Sequence, residues 1–411
     1  MNEESTGFVN SSKKVVLALQ HLMAMFGATV LVPMITGFDP SIALFTAGMG
    51  TLIFHLCTGG KVPVFLGSSF AFISVILTVK EAYGDLAYAQ GGILIAGLIY
   101  VAISFLIKKI GSEKIERFLP PQVIGPMIIV IGLSLIPTAI DMASEHFLVA
   151  GITLAIALII NFAGKGFFKQ LSILIAITVG YIVASRVGLV DMTQVIESPL
   201  FSVPPFALPK FDGGAILVIA PVVLAVFMEH VGDITTNGQV VGKNFVEDPG
   251  LHKTLLGDGL ATMAAAMVGG PANTTYGENT GVLAITKNYD PSVLRLAAIF
   301  AVALGFISKV GAFLGTIPPS VMGGISLMLF SMIALIGVQT LKNNKVKFNA
   351  KNVIVMATIL ILGLGTEFIN TKFGVVIGIP VTETVKISGL SLAAIVGIIL
   401  NAILNRKSLK A

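Results

Sequence analysis

Four carboxylates, Glu229, Asp233, Asp258 and Glu278, stand within apolar stretches of a chain in which only 11% of residues are charged. A charge at the centre of a bilayer-spanning helix costs about 2.5–3.5 kcal/mol on insertion scales, so each of these groups needs a task. No lysine or arginine stands beside them in sequence to form a local ion pair. In 226-VFMEHVGDITTNG-238, Glu229 and Asp233 are four residues apart and share one helix face. Two like charges so close in a low dielectric compete for ionisation, and the pair can hold an exchangeable proton. Proton coupling through Glu229 and Asp233 is the expectation. His230 points about 100° off that face and reads as a packing or hydrogen-bonding residue.

In 270-GPANTTYGENTGVLAITK-287, Pro271, Gly277 and Gly281 interrupt any regular helix. The interruption frees backbone N–H and C=O groups that lipid cannot satisfy, and such backbone survives only where protein or a water-filled cavity covers it. Short half-helices of this kind turn their N-terminal amides toward a substrate. The same logic applies to 67-GSSFAF-72, where Ser68 and Ser69 can satisfy their own chain and Phe70 offers an amide and a ring. An ionised carboxylate accepts from the N–H groups of a planar amide-like ring and repels anions. Freed amides donate to ring carbonyls, and an aromatic side chain stacks on the ring face. Donor, acceptor and flat surface together describe a nucleobase; an inorganic anion would call for a lysine or arginine.

The elements that must position these groups are membrane spans. With 55% hydrophobic residues in 411, the chain lies far from soluble composition, where about 25% of residues are charged, and is expected to be polytopic. The opening MNEESTGFVNSSKK lacks the basic start and short apolar core of a signal peptide, so the first span is expected to be retained. Cys57 is the only cysteine, which excludes an intrachain disulfide and any multi-thiolate metal site. The five histidines show no ligand spacing, and no nucleophile elbow or phosphate loop is present, so neither metal, cofactor nor enzymatic turnover is expected. The net charge of +5 reflects where positive residues sit along a membrane chain and does not point to nucleic acid.

Apolar windows long enough for about 30 Å of hydrocarbon fall near 15–36, 40–58, 91–107, 122–140, 148–163, 171–185, 213–242, 251–268, 292–313, 320–341, 352–369 and 388–405. The broken segments 62–79 and 271–286 complete fourteen. With both termini cytoplasmic, 20 of the 26 basic residues fall inside, including Lys13, Lys14, Lys61, Lys108, Lys243 and Lys342. Only Lys80, Arg186, Lys210, Lys309, Lys372 and Lys386 remain outside, as the positive-inside rule requires. Each broken segment is third of seven spans on its side of the irregular linker near 188–212, which contains 198-SPLFSVPPFALPKF-211. Seven is odd, so the halves run with opposite topology. Interrupted segments in matching places mark a transporter site at the midplane.

These residues also carry a family resemblance. The run 278-ENTGVLAITK-287 resembles the signature of the nucleobase-ascorbate transporters, nucleobase:cation symporter family 2. Further likeness comes from 20-QHLMAMFGATVLVP-33, 67-GSSFAF-72, 229-EHVG-232, 249-PGLH-252 and 273-NTTYGEN-279, so it covers nearly the whole chain. The resemblance implies an all-α membrane fold of fourteen spans in two inverted seven-span repeats, with short antiparallel strands in broken spans 3 and 10. It further implies a core domain of spans 1–4 (residues 1–118) and 8–11 (213–316), and a gate domain of spans 5–7 (119–212) and 12–14 (317–411). Carried residue by residue, it makes Glu229 and Glu278 side-chain ligands of the base. Backbone at Phe70, Gly277 and Glu278 meets the polar edge of the base, and Ala28 lines the pocket. Gln20, His21, Ser69, Asp258 and Asn279 form a supporting network, Phe330 of the gate faces the pocket, and a homodimer through the gate is expected.

Glu at 278 is the form of uracil-type members, whereas purine members usually carry Gln. Asp233 stands where some uracil-type members have His, and Asp258 is shared with many purine-type members. Uracil import by proton symport is therefore the leading expectation. Xanthine or another purine, sodium coupling, and an anion exchanger of similar fold are the alternatives.

Overall fold

The computed structural model of the chain describes residues 3–111, 120–375, 377–380 and 386–405. The boundary drawn at 118/119 and the basic residues Lys114, Arg117, Arg406, Lys407 and Lys410 lie outside them. In chain order the first half contains α1 (Glu3–Thr36), α2 (Pro40–Cys57), β1 (Leu66–Ser68), α3 (Ile73–Tyr83), α4 (Leu86–Ile110), α5 (Pro121–Ser134), α6 (Ile136–Ser144), α7 (Phe147–Ala163), α8 (Phe167–Gln170), α9 (Ser172–Arg186) and α10 (Thr193–Glu197). The second half contains α11 (Gly213–Ile219), α12 (Val222–Val241), α13 (Leu251–Met267), β2 (Asn273–Thr275), α14 (Gly277–Thr286), α15 (Pro291–Gly305), α16 (Ser308–Gly315), α17 (Pro319–Asn343), α18 (Ala350–Leu360), α19 (Thr366–Phe373), β3 (Ile379–Pro380), β4 (Lys386–Ile387) and α20 (Gly389–Leu404).

Helix starts follow local chemistry. Asp39, Asp85, Asp212 and Asp290 each accept hydrogen bonds from amides in the first turn of α2, α4, α11 and α15, and Pro40 and Pro291 occupy first-turn positions where no N–H is needed. Among the described residues, six helices are long and apolar enough to cross a bilayer: Ser12–Thr36, Pro40–Cys57, Leu86–Ile110, Pro121–Ser144, Gly213–Val241 and Pro319–Asn343. Four shorter apolar helices accompany them, at Phe147–Ala163, Ser172–Arg186, Ala350–Gly365 and Gly389–Leu404. Large apolar side chains such as Phe105, Phe162 and Ile336 are exposed along these helices, as expected where the surrounding solvent is hydrocarbon. The chain is a multi-pass membrane protein.

Close backbone approach sets the tightest packing. α4 lies along α13, where a Cβ on Gly259 would stand 2.9 Å from the Gly97 carbonyl oxygen and one on Gly97 would stand 2.8 Å from the Gly259 oxygen. The two glycines let the helices touch through their backbones. In the same way α15 packs on α2, α7 on α9, α18 on α20, and α17 on α5.

One expected span is not a continuous helix. The window 292–313 divides into α15 and α16, bent by 78° across Phe306 and Ile307. Ile307 takes φ −89° and ψ 89°, outside the helical region, and Gly305 fits against the backbone of Ser41 and the side chain of Phe45. The bend keeps both pieces on α2. The linker is irregular apart from α10, as expected, yet it is fastened. Ser202 N–H donates to Phe306 O (3.1 Å), Ala207 N–H to Val268 O (3.2 Å) and Lys210 N–H to Ala87 O (2.9 Å). The Lys210 ammonium bonded to Asp85 (2.8 Å) holds that carboxyl below its usual range. A second strand pair, exposed β3 with partly buried β4, appears ahead of α20 with no counterpart among the sequence expectations.

The two broken segments meet. β1 pairs antiparallel with β2 in the register Leu66↔Thr275, Gly67↔Thr274 and Ser68↔Asn273. Ser69 N–H to Ala272 O (2.8 Å) and Tyr276 N–H to Phe65 O (3.0 Å) extend the ladder. Neighbouring helices satisfy its outer edges: Thr51 Oγ1 accepts from Leu66 N–H (2.9 Å), and Thr262 Oγ1 donates to Asn273 O (3.0 Å). Non-helical backbone therefore sits deep in the protein with its polar groups paired.

Candidate substrate site

Each strand leads directly into a short helix. After Ser69, the residues Phe70–Phe72 make one 3₁₀ turn and continue as α3; after Tyr276 the chain enters α14. The N-cap residue Tyr276 makes no side-chain cap at the start of α14, and of the first-turn amides at this positive end that of Glu278 faces its own carboxyl group. α12 passes across this junction, packing on β2, α14 and the 3₁₀ turn.

The four carboxylates divide into two groups. Glu229, Asp233 and Glu278 are half-buried and close enough to interact electrostatically. Gly232, between the first two, and Gly277, beside the third, are exposed, and a Cβ added to either would meet nothing within 4 Å. An open space therefore lies where three acids and the α14 amides converge. Asp233 is tethered within it, its Oδ2 accepting from Thr275 Oγ1 at 2.9 Å. Asp258 belongs to the second group: it is fully buried on α13, opposite His230, away from the open space.

Phe70 is half-buried and its ring meets Phe330 of α17 edge-on, with centroids 6.2 Å apart at 78°. Phe330 itself is fully buried. Asn279 Nδ2 donates to His21 O at 3.0 Å and lies 3.2 Å from His21 Nδ1, tying α14 to α1. Gln20 Oε1, Ser69 Oγ and Asn279 Oδ1 are buried with no hydrogen-bond partner among the described residues. Ala28 is fully buried on α1. Two cavities of about 390 and 440 Å³ open at the Lys243 end of α12, and neither includes the carboxylates.

Three residues that sequence reasoning missed fix this arrangement. Thr275 holds Asp233, and the Tyr276 hydroxyl donates to Ser68 O at 2.9 Å across the strand pair. Asn237 Nδ2 bonds Pro63 O at 3.0 Å and Thr280 Oγ1 at 3.1 Å, joining α12 to both broken segments. Asn237 continues the spacing of Glu229 and Asp233 by four more residues, which was the available signal. Asn237→Ala leaves buried partners unsatisfied and is expected to cost about 1–3 kcal/mol, seen as a lower unfolding midpoint of the purified protein. An unchanged midpoint would show that these contacts do not hold the junction.

Comparison with known proteins finds relatives along nearly the whole chain. The Xan_ur_permease family model, described as "Permease family", matches residues 12–372. A probable uracil permease of Haemophilus influenzae is 44% identical over 402 residues, covering 95% of this chain and 94% of that protein. The uracil permease of Bacillus subtilis is 42% identical over 407 residues, covering 94% and 91%. Among solved structures, the transmembrane domain of a cyanobacterial bicarbonate transporter, BicA, has a similar fold, with a TM-score of 0.66 at 16% identity over 88% of this chain and 97% of that one. With a family model spanning most of its length and relatives above 40% identity, the chain belongs to the xanthine/uracil permease family of membrane transporters and is not an enzyme.

Proposed function

We propose that the protein imports uracil by proton symport. The observation that carries this reading is the convergence of Glu229, Glu278 and the start of α14 on one open space beside Phe70. Glu229 and Glu278 accept from the ring N–H groups of the base, backbone at Phe70, Gly277 and Glu278 meets its carbonyl edge, and the Phe70 ring covers its face. Ala28 packs behind this wall. Glu229 and Asp233 carry the coupled proton between them, with Asp233 held by Thr275 one turn along α12. Relatives named as uracil permeases support the choice of base.

Alternating access moves a core of spans 1–4 and 8–11 against a gate of spans 5–7 and 12–14, in a fourteen-span chain with both termini cytoplasmic and homodimeric through the gate. Internal packing supports the inverted repeat. Adding seven to the span numbers turns the α4–α13 pair (spans 4 and 9) into α15–α2 (spans 11 and 2), and α7–α9 (6 and 7) into α18–α20 (13 and 14). The Phe70–Phe330 contact crosses from core to gate in this division. An anion exchanger is disfavoured even though the fold resembles a bicarbonate transporter, because the side chains at the open space are acids.

The test is uptake into proteoliposomes with imposed pH or sodium gradients and a panel of bases. Uracil is expected to accumulate with an inward proton gradient and to lose that accumulation when an uncoupler is added. Uptake driven only by sodium would overturn the coupling. Xanthine uptake indifferent to uracil would overturn the substrate.

A further inference from the structure

On the side of α12 turned away from the open space, His230 is fully buried and its ring spans two partners on α13. Nδ1 lies 2.8 Å from Asp258 Oδ2, and both side chains are almost without exposure, at 1% and 2%. Nε2 lies 2.9 Å from Thr254 Oγ1. Thr254 commits its hydroxyl proton to Leu251 O at 3.0 Å, which leaves Oγ1 to accept from Nε2–H. The 2.8 Å approach is an ion-pair contact and not an aligned hydrogen bond, since among the described residues Nδ1 has no hydrogen-bond partner. As an ion pair the two side chains carry no net charge together.

Asp258 is also within electrostatic reach of Glu229. Among the described residues its Oδ1 has no hydrogen-bond partner, and the hydroxyl of Tyr100, a buried residue of α4 also within reach of Asp258, has none either. Among the described residues no lysine or arginine pairs with Asp258, so His230 is its only counter-ion. Glu229 and His230 are adjacent on α12 and their side chains diverge by about 100°. Anchoring one to α13 directs the other.

We infer that His230 is a positioning residue for Glu229: as the buried counter-ion of Asp258 it keeps an unpaired anion from standing behind Glu229, and by locking α12 onto α13 it aims the Glu229 carboxyl at the open space. This rests on the reading of Glu229 as base ligand and proton carrier. It gives His230 and Asp258 a joint role as a sealed, neutral pair that touches neither the base nor the exchanged proton.

Three variants test it: His230→Gln, Asp258→Asn and the double His230→Gln/Asp258→Asn. His230→Gln strands a buried carboxylate, and is expected to lower the unfolding midpoint by about 5 °C or more and to weaken uracil binding to the purified protein at least tenfold. The double variant removes the stranded charge, and its dissociation constant is expected to return to within threefold of wild type. If His230→Gln does not fold, recovery of folded protein on adding Asp258→Asn is the same rescue. A double variant as impaired as His230→Gln, or more so, would assign the pair to packing and overturn the inference. So would a His230→Gln protein that binds within twofold of wild type. The midpoints are measured without any base. If wild-type protein fails to bind uracil, the transport reading falls, while the rescue of the midpoint still decides whether the pair is neutral.

Discussion

Glu229→Gln protein is expected to equilibrate uracil across a proteoliposome membrane without concentrating it. The amide keeps the size of the side chain and a hydrogen-bonding oxygen, so the base still has a partner at position 229. What the amide lacks is a proton that can be exchanged near neutral pH. One pH unit is equivalent to about 1.36 kcal/mol, so a symporter moving one proton per base concentrates its substrate about tenfold under that gradient. The variant is expected to reach an inside-to-outside ratio of about one with or without the gradient. Tenfold accumulation by Glu229→Gln, abolished by an uncoupler as in wild type, would remove Glu229 from the coupling step. The placement of Glu229 beside exposed Gly232, half-buried and near Glu278, makes this the most sensitive single position for coupling.

Gly67→Ala is expected to be nearly as damaging, for a steric reason. A Cβ at position 67 would stand 2.3 Å from Cζ and 2.4 Å from Cε2 of the Tyr276 ring, and 2.7 Å from Thr29 Oγ1. The ring cannot simply swing aside, because it is buried and its hydroxyl is bonded to Ser68 O at 2.9 Å. The strand pair must shift instead. Tyr276 immediately precedes Gly277 and Glu278, so the shift passes to the groups that meet the base. Overpacking of this kind costs about 1–3 kcal/mol, and a displacement of about 1 Å in a positioned site can cost on the order of a hundredfold in rate. Initial uracil uptake is expected to fall by about that factor, with partial recovery when Tyr276→Leu is added to make room. Uptake within threefold of wild type in Gly67→Ala alone would show that the strand crossing does not set the geometry of the site.

Much of this arrangement was legible in the sequence because the bilayer makes certain residues conspicuous. Acids in apolar runs are costly, so Glu229, Asp233, Asp258 and Glu278 could be singled out without a structure. Gly67 in the first segment and Pro271 and Gly277 in the second marked the two breaks, which pair as β1 and β2, whereas Gly281, expected to interrupt a helix, lies inside α14. The four-residue spacing placed Glu229 and Asp233 one turn apart on α12, close enough to interact electrostatically.

What sequence patterns missed depends on contacts between distant segments. Asp258 had the same signature as the other three acids, yet lies against His230, because only packing decides which face of α13 meets α12. Thr275 and Tyr276 are ordinary polar residues until the strand register places them on Asp233 and Ser68. The bend between α15 and α16 left no trace in a hydropathy window, since Phe306 and Ile307 are as apolar as the helices they separate. Conversely, the linker looked like a loose connection, and its ties to Ala87, Val268 and Phe306 are backbone hydrogen bonds that no side-chain pattern records.

The most direct measurement is an electron cryomicroscopy map of the purified protein with uracil at saturating concentration. Ring density is expected between Phe70 and the first turn of α14, with polar edges within hydrogen-bonding distance of the Glu229 and Glu278 carboxyl groups. Uracil density elsewhere in the molecule, with the space beside Gly232 and Gly277 holding only water, would contradict the account.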